Sequence, residues 1–331
     1  MPGTLPTPTL GVIFHPTFPP ETLAVYARRA EAAGFDALWL WDDCFLPGAL
    51  TSAAVALAAT QTLKVGIGLL PATAHNPLFA AMEITTLACA FPGRILPGFG
   101  HGVPGWMAQI SAAPRSSMKA LSETVSAVRR LLKGEAVTVH GEQVKLDNVQ
   151  MQVTPAVIPP LYVGAMREKT LQLAGRVGDG TILTGMSSPA YIRWAWEHIH
   201  AGMTAAGHTQ HRMAVYLDVK VSDNGDGARD AARCALAARL PWPDVQLNAL
   251  GIANDVTAFI ERYGRDGMAQ EMPDAWLDAF CAAGTPAQVA DTIGRYMAAG
   301  VDSVIFQPLN GDSACLDEYA RHLMPLLKPT R

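Results

Sequence analysis

Short apolar runs alternate with alanine-rich segments along almost the whole of this 331-residue chain. The apolar runs are continuous, which is typical of parallel strands covered on both faces, and the segments between them are typical of helices. Such alternation predicts repeated βα units around a parallel sheet. We expect eight strands, at Leu10–Phe14, Ala37–Trp41, Lys64–Leu70, Arg94–Phe99, Leu161–Gly164, Gly180–Thr184, Met213–Val221 and Ser303–Gln307.

A local repeat links the two ends of the chain. The segment Ala32–Leu40 resembles the segment Ala298–Phe306, and each has the pattern of a helix end, a glycine and a strand. Gly34 and Gly300 lie where a chain leaving a helix needs a left-handed conformation. The shared pattern favours a sheet that closes on itself. We therefore predict an α/β fold, a (β/α)8 TIM barrel, that forms a single domain over residues 1–331.

Two insertions account for the residues beyond the roughly 250 that eight βα units need. Residues at about 135–155 alternate between apolar and polar side chains around His140 and Gly141, which predicts a β-hairpin. Residues 241–284 have apolar side chains at helical spacing, from Trp242 to Phe280. This second insertion is too long for a plain loop, so we expect helices packed on the barrel.

Composition excludes several classes of function. The chain has 25 basic and 29 acidic residues and a formal net charge of −4, so it carries no field that would attract nucleic acid. Its most apolar stretches, 53–59 and 65–71, are much shorter than the roughly 18–20 residues of a membrane-spanning helix. The segment Met1–Pro6 lacks the features of a secretory signal, so we expect a cytoplasmic protein. The five scattered cysteines predict neither a disulfide framework nor a zinc site.

Polar residues at the predicted strand ends form the candidate site, because the site of a βα-barrel lies at the carboxyl ends of its strands. Three of these ends carry a histidine: His15, His75 and His101. Imidazoles together with a carboxylate such as Asp42 could hold zinc or iron. No His-x-His or His-x-x-x-His pair occurs at a strand end. We therefore favour a cleft for an organic ligand, without a metal.

Backbone groups at three strand ends are candidates for ligand binding. The run Gly98–Gly102 is a weak match to a dinucleotide fingerprint, and its small residues would let a flat group approach the backbone. Two other segments are candidate anion sites at helix starts. They are Gly164, Ala165, Met166 and Arg167 after the fifth strand, and Thr184, Gly185, Met186 and Ser187 after the sixth.

Hydrolase chemistry has little support in the sequence. Asp42 and Asp43 are adjacent, so on a strand they would point to opposite faces and would not form the paired carboxylates of a glycosidase. The sequence has no Gly-x-Ser-x-Gly motif, and no cysteine has a histidine within the range of a local signature. We therefore expect neither a glycosidase nor a nucleophilic hydrolase.

An ordered set of segments, covering nearly the whole chain, resembles one family. The segments are, in chain order, Ala30–Asp42, Asn76–Pro77, Met82–Glu83, Thr86–Leu87, Pro92–Arg94, Pro97–Gly100 and Ala174–Gly180. Together they resemble the luciferase-like oxidoreductase superfamily, and most strongly its deazaflavin-dependent branch. That branch includes methylenetetrahydromethanopterin reductases and sugar-phosphate dehydrogenases.

The resemblance implies a βα-barrel that binds coenzyme F-420, an 8-hydroxy-5-deazaflavin, or alternatively FMN, at its mouth. A bulge with a non-prolyl cis peptide, at Gly68 and Leu69, would lie behind the ring. Asp42 would lie beside the ring, and the segments after strands five and six would receive the phosphate. The predicted cofactor-binding residues are Asp42, Gly68, Leu69, Gly100, His101, Gly164, Ala165, Met166, Arg167, Thr184, Gly185 and Met186.

Two positions depart from the sugar-phosphate dehydrogenases of this branch. Those enzymes have His after the strand-two Asp and Glu after the strand-four glycines, whereas this chain has Asp43 and Val103. Glucose-6-phosphate oxidation is therefore not expected. The double glycine of their phosphate loop is replaced here by Met166 and Arg167, and Arg167 would compensate with a charged contact to phosphate.

The leading hypothesis is a reductase in which reduced F-420 delivers hydride to a polarised C=C or C=N bond of a small organic substrate. Candidates for proton transfer are His101, His75, His15 and Asp43, in decreasing order of preference. The alternatives are an FMN-dependent monooxygenase that uses reduced flavin from a partner reductase, and a flavin-binding barrel without turnover. The resemblance also implies a homodimer, with a separate flavin or F-420 reductase as the supplier of reduced cofactor.

Overall fold

Eleven strands form the framework of the protein in a computed structural model, which describes residues 9–240, 244–264 and 267–328. The strands are β1 (Thr9–Ile13), β2 (Ala37–Leu40), β3 (Lys64–Pro71), β4 (Ile95–Gly100), β5 (Val137–His140), β6 (Lys145–Val149), β7 (Tyr162–Gly164), β8 (Gly180–Leu183), β9 (Arg212–Val221), β10 (Cys281–Gly284) and β11 (Ser303–Pro308).

Eight of these strands close into a parallel barrel. Their order is β1, β2, β3, β4, β7, β8, β9 and β11, and β11 pairs back to β1. Every pairing around the barrel is parallel. The predicted TIM barrel is confirmed, and each predicted strand end differs from the observed one by a single residue or not at all.

β10 is a further parallel strand, and it corrects one prediction from the sequence. The sequence predicts helices throughout 241–284, but Cys281–Gly284 pair in register with Asp218–Val221 of β9. This part of β9 lies beyond the residues that pair with β8. The prediction was wrong for these four residues because cysteine, alanine and glycine lack the β-branched side chains that usually mark a strand.

Helices cover the outside of the barrel and fill the second insertion. None of those in the described ranges is long and apolar enough to cross a bilayer. They are α1 (Leu23–Ala32), α2 (Ala49–Ala59), α3 (Pro77–Ala90), α4 (Pro104–Gln109), α5 (Ser117–Leu132), α6 (Glu168–Val177), α7 (Pro189–Ala206), α8 (Gly225–Ala237), α9 (Asp244–Leu250), α10 (Ala253–Tyr263), α11 (Met268–Glu271), α12 (Asp274–Phe280), α13 (Pro286–Ala298), α14 (Cys315–Glu318) and α15 (Met324–Leu327), with 3-10 turns at Pro20–Thr22 and Leu309–Gly311 and a π-helical turn at Tyr319–Leu323.

The first insertion is the expected hairpin, formed by β5 and β6 as an antiparallel pair. Its tip is held by Glu123 of α5. The Glu123 carboxylate accepts hydrogen bonds from the backbone N–H groups of Glu142, Gln143 and Val144, at 3.1, 2.9 and 2.9 Å. These bonds position the hairpin beside the loop that follows β3, and the two segments line a cavity of about 430 Å³.

The second insertion has an apolar core of its own. Helices α9 to α12 confirm the predicted helical insertion as far as Phe280. Residues 241–243, with Trp242, and residues 265–266 lie outside the described ranges. Met186, which follows β8, packs into this core. The core also contains Leu236, Leu240, Leu247, Val256, Met268, Met272, Trp276, Leu277 and Phe280.

Trp39 is the largest side chain inside the barrel, and glycines make room for it. A methyl group on Gly66 would overlap the Trp39 ring, and one on Gly11 would lie 2.8 Å from it. Trp39 belongs to an interior set of residues that fills the barrel, whose other members are Ile13, Ala37, Leu96, Tyr162, Ile182, Ala214, Tyr216 and Ile305. Because side chains alternate along a strand, the residues two positions beyond members of this interior set face the barrel mouth.

Acid should destabilise the fold through His211, which precedes β9. Its Nε2 lies 2.8 Å from Thr181 Oγ1, and burial lowers the pKa of His211 to about 4. The unfolded chain takes up a proton on this imidazole near pH 6.5. The contribution of His211 to the free energy of unfolding is therefore complete above pH 6.5, and it is lost as the pH falls from 6.5 to 4. We expect urea denaturation to show a loss of about 2 kcal/mol at pH 5.

The variant His211→Gln should remove most of that pH dependence, even if it lowers stability at pH 7. His140→Gln, at an exposed position of the hairpin, is the matched control and should keep the pH dependence of the parent protein. An undiminished pH dependence in His211→Gln would mean that other groups cause the acid sensitivity.

Candidate active site

Inward-facing positions change from apolar to polar or amphipathic at the carboxyl ends of the strands. Two positions beyond members of the interior set, the chain carries His15, Trp41, Thr184, Asp218 and Gln307. The two-residue period of a strand directs these side chains toward the same opening. They surround the barrel mouth, which is the candidate site.

Tyr216 crosses the barrel beneath the mouth. Its hydroxyl donates a 3.0 Å hydrogen bond to the carbonyl oxygen of Gly68 on β3. Its ring has edge contacts with Trp39 and Trp41, at centroid distances of 6.2 and 5.9 Å. Since β9 and β3 lie on opposite sides of the barrel, this bond ties the two sides together at the floor of the mouth.

The floor is the irregular end of β3. The peptide bond between Gly68 and Leu69 is cis, as the resemblance predicts. The pairing of β3 with β4 shifts register between Ile67 and Leu70. Gly68 and Leu69 are partly exposed, although the residues before and after them are buried. This segment therefore presents both backbone and an apolar side chain to the mouth.

Glycines on the neighbouring strands shape the space around Leu69. A methyl group on Gly100 or on Gly164 would collide with the Leu69 side chain. A methyl group on Gly98 would lie 2.6 Å from the carbonyl oxygen of Ile67. The glycine run with the weak dinucleotide pattern is thus explained by packing, because it lets Leu69 pack against β4 and β7.

Asp42 is held between α2 and the loop that follows β3. Its Oδ1 accepts a 2.9 Å hydrogen bond from the N–H of Ala49, and its Oδ2 lies 2.7 Å from His75 Nε2. Burial raises the pKa of Asp42, but the hydrogen bonds from His75 and Ala49 outweigh it and lower the pKa overall. Asp42 is therefore ionised and orients His75. In the described ranges, these two residues are not part of any metal-binding cluster of three or more such side chains.

Asp43 and His15 both have pKa values shifted toward their neutral forms. Burial raises the pKa of Asp43, and the neighbouring charge of Asp42 raises it further. Burial lowers the pKa of His15. The His15 ring contacts Trp41 at a centroid distance of 5.2 Å, and the Asp43 charge acts on the Tyr216 hydroxyl. Both shifts therefore widen the pH range in which the group concerned is uncharged.

His101 lies between the starts of α5 and α6. Its Nε2 is 3.4 Å from Thr170 Oγ1 of α6. Burial lowers the pKa of His101, and the nearby backbone of Ser117 in α5 partly offsets that effect. The hydrogen bond of this ring is therefore with the helix layer, whereas the His15 ring contacts Trp41 at the mouth.

The two predicted phosphate segments differ in their access to a ligand. The Arg167 guanidinium is exposed and already pairs with Asp244 of α9, at 3.1 and 3.0 Å from its two carboxylate oxygens. Thr184 is exposed and Gly185 partly so. Of the other predicted cofactor residues, Gly164 and Met166 are partly exposed, whereas Gly100, Ala165 and Met186 are buried.

Sequence reasoning misses three polar residues near the mouth: Tyr216, Asp218 and Arg239. Tyr216 and Asp218 alternate with apolar residues in β9, and this spacing is a signal that both face the interior. Arg239 follows α8 and forms an ion pair with Asp218. No sequence signal points to Arg239, because its role depends on a contact between distant elements.

The fold and the mouth define a βα-barrel of the class that binds a ligand at the carboxyl ends of its strands. A family model described as luciferase-like monooxygenase matches residues 4–303. The chain belongs to this family, and the resemblance read from the sequence is confirmed.

Individual relatives cover almost the whole chain. A 5,10-methylenetetrahydromethanopterin reductase of Archaeoglobus fulgidus is 29% identical, over 96% of this chain and 99% of the relative. An F-420-dependent glucose-6-phosphate dehydrogenase of Kineococcus radiotolerans is 27% identical, over 94% of each. The solved structure of the coenzyme F-420-dependent tetrahydromethanopterin reductase of Methanopyrus kandleri shares the fold, with a TM-score of 0.83 at 22% identity over 97% of this chain and 99% of that one. An F-420-dependent secondary alcohol dehydrogenase in complex with an F-420-acetone adduct has a TM-score of 0.79 at 20% identity, with the same coverage.

Removing the Tyr216 hydroxyl should destabilise the protein, because the Gly68 carbonyl then loses its donor. We expect Tyr216→Phe to lower the free energy of unfolding, measured by chemical denaturation, by about 1–3 kcal/mol. Tyr263→Phe, on the partly exposed α10, is the control and should change it by less than about 0.5 kcal/mol. Equal losses in the two variants would contradict a structural role for the bond across the barrel.

Proposed function

We propose that this protein is an F-420-dependent oxidoreductase that places the cofactor ring over Gly68 and Leu69 at the barrel mouth. The observation that carries the proposal is the partly exposed backbone and side chain of Gly68 and Leu69, between the buried residues Ile67 and Leu70 at the end of β3. Three of the four proteins compared above are described as dependent on F-420, which supports this cofactor over FMN.

The residues of the mouth fit a flat ring that carries a phosphate-bearing side chain. Leu69 and the Gly68 peptide offer an apolar and planar floor, and Trp41 borders it. Thr184 and Gly185 are open at the end of β8 and offer a hydroxyl group and backbone N–H groups to phosphate. When bound, reduced F-420 supplies the hydride, and the protein supplies position and a proton.

Asp43 is the proton donor that we propose. The preference from the sequence is His101, but the contacts of His101 are with α5 and α6, and His75 is engaged by Asp42. The charge of Asp43 acts on the Tyr216 hydroxyl, and the raised pKa of Asp43 extends the pH range in which its carboxyl group is protonated, as an acid needs. His15 is the second candidate, because its ring contacts Trp41 at the mouth.

The reaction that we propose is reduction of a polarised C=C or C=N bond in a small organic substrate. Asp43 and Val103 stand where the resemblance places the histidine and glutamate of the sugar-phosphate dehydrogenases. Without these two residues, glucose-6-phosphate is not the substrate that we propose. An acid beside the cofactor ring supports a step that adds a proton as hydride arrives.

A fluorescence titration of the apo-protein with F-420, and in parallel with FMN, tests the cofactor. We expect F-420 to bind at least about tenfold more tightly than FMN, because a preformed site discriminates between ligands that differ in ring and side-chain chemistry. Tighter binding of FMN would favour the monooxygenase alternative. Tight F-420 binding with no oxidation of the reduced form by any enone or imine would favour the non-catalytic barrel.

A glycine variant locates the bound ring in the same titration. Gly164→Ala forces the Leu69 side chain to move, so it should weaken F-420 binding, and the added Leu69→Ala change should restore part of the affinity. Gly105→Ala, in α4, is the matched control, because a methyl group there contacts nothing within 4 Å. Equal affinities of Gly164→Ala and Gly105→Ala would place the ring elsewhere.

Replacing Asp43 should remove the acid without removing the cofactor site. We expect Asp43→Asn to lower kcat by about 10²-fold or more and to change F-420 affinity much less. Because the acid works only when protonated, kcat of the parent protein should fall as pH rises through the pKa of Asp43, and the variant should lack that fall. Asp147→Asn, on the exposed hairpin, is the control. A parent-like kcat in Asp43→Asn would transfer the role to His15.

The wider setting of the protein follows from the same proposal. We propose a cytoplasmic homodimer that acts on a small molecule and receives reduced cofactor from a separate F-420 or flavin reductase. Light scattering gives the mass of the assembly, and a mass of one chain would contradict the dimer.

A further inference from the structure

Asp218 and Arg239 form a charged pair that the proposed reaction does not use. Asp218 lies on β9 and is 2% exposed, and its carboxylate accepts a hydrogen bond from Nη2 of Arg239. The other bond of the guanidinium is a long one, 3.5 Å from Nε to the carbonyl oxygen of Ala235. The desolvation of a buried ion pair offsets much of its attraction, so stability alone is a weak explanation for this pair.

The free edge of the Arg239 guanidinium faces the end of β8. A methyl group on Gly185 would lie 3.8 Å from Arg239 Nη1 and 3.8 Å from Gln307 Oε1. Nη1 makes no hydrogen bond to any part of the chain that the structure describes, and the Arg239 side chain is 35% exposed. Gln307 is the register partner of Asp218 in the pairing of β9 with β11. The Nη1 group, the Gln307 amide and the Gly185 backbone therefore converge on one open position.

We propose that this position binds an oxyanion, either a phosphate or a carboxylate group of a ligand. Arginine presents N–H groups in a rigid plane that matches such oxygens, and Asp218 fixes that plane by occupying Nη2. The Gln307 amide adds a second donor, since the orientation of a terminal amide adjusts to its partner. Gly185 has no side chain to block the approach.

Preorganisation is the reason that Arg239 suits this role. Folding has already removed the guanidinium from most of its water and held it against Asp218, so an arriving anion meets donors that need little ordering. Arg167, the arginine that the sequence suggests for phosphate, is exposed and paired with Asp244 instead. The structure thus offers a different arginine for the same chemistry.

The oxyanion has two possible sources, the phosphate of the cofactor and an acidic group of the substrate. Binding of an oxyanion by Arg239 and Gln307 adds two side chains to the Gly185 segment that the proposed function assigns to phosphate, and it is testable without F-420. The choice between the two sources rests on the proposed function, because it assumes that F-420 binds at the mouth. An experiment with inorganic phosphate separates the two questions.

Inorganic phosphate is the probe, titrated into the apo-protein at constant ionic strength while binding is followed by thermal stability. Arg239→Lys keeps a positive charge beside Asp218 but removes the Nη1 donor. Gln307→Glu adds a negative charge beside Nη1. We expect each variant to bind phosphate at least about tenfold more weakly than the parent protein. Arg233→Gln removes an arginine of α8 that pairs with Asp274 and should leave phosphate binding unchanged.

Parent-like phosphate affinity in both Arg239→Lys and Gln307→Glu would overturn the proposal, and so would the absence of phosphate binding by the parent protein. An equal loss in Arg233→Gln would also overturn it, since the effect would then reflect general charge. Once these variants establish the site, competition between phosphate and F-420 would identify the cofactor phosphate as its ligand. Simultaneous binding of phosphate and F-420 would assign the site to an acidic group of the substrate. Failure of F-420 to bind would reject the proposed function and leave the phosphate result standing.

Discussion

The hydrogen bond from Tyr216 to the Gly68 carbonyl is the interaction on which the mouth depends. It joins residues 148 positions apart in the chain and spans the barrel from β9 to β3. Trp39 fills the interior beneath it, and Leu69 continues from the same cis peptide over the glycines of β4 and β7. The floor on which a ligand would lie is therefore shaped by contacts across the barrel and not by the loops around it.

Three aspartates near the carboxyl ends of β2 and β9 are each in a different electrostatic environment. Asp42 is ionised, because the hydrogen bond from His75 helps to outweigh its burial. Asp218 faces the charge of Arg239, which opposes the rise in pKa that burial causes. Asp43 has the charge of Asp42 beside it, and both that charge and burial raise its pKa. Charge–charge interactions are strong in such a poorly solvated setting, so small differences in partners give the three carboxyl groups different roles.

The sequence predicts the barrel well because parallel strands have a strong local signal, a continuous apolar run between helices. β10 has no such signal, since small residues at Cys281–Gly284 form a strand only because β9 offers them an edge. The cis peptide at Gly68 follows from resemblance to a family, since nothing local requires it. Arg239 is beyond sequence reasoning, because its partner Asp218 comes from another element and only the folded chain brings the two together.

The aspartate at position 43 also bears on the direction of the proposed reaction. Oxidation of an alcohol needs a base that is free of its proton near neutral pH, which a histidine provides. A carboxyl group whose pKa is raised by burial and by a neighbouring negative charge keeps its proton up to a higher pH than an ordinary aspartate does. An acceptor that gains hydride develops negative charge on the adjacent atom, and a neutral acid beside it relieves that charge as it forms, whereas an ionised carboxylate would oppose it. The environment of Asp43 therefore supports the reductive direction of the proposed reaction.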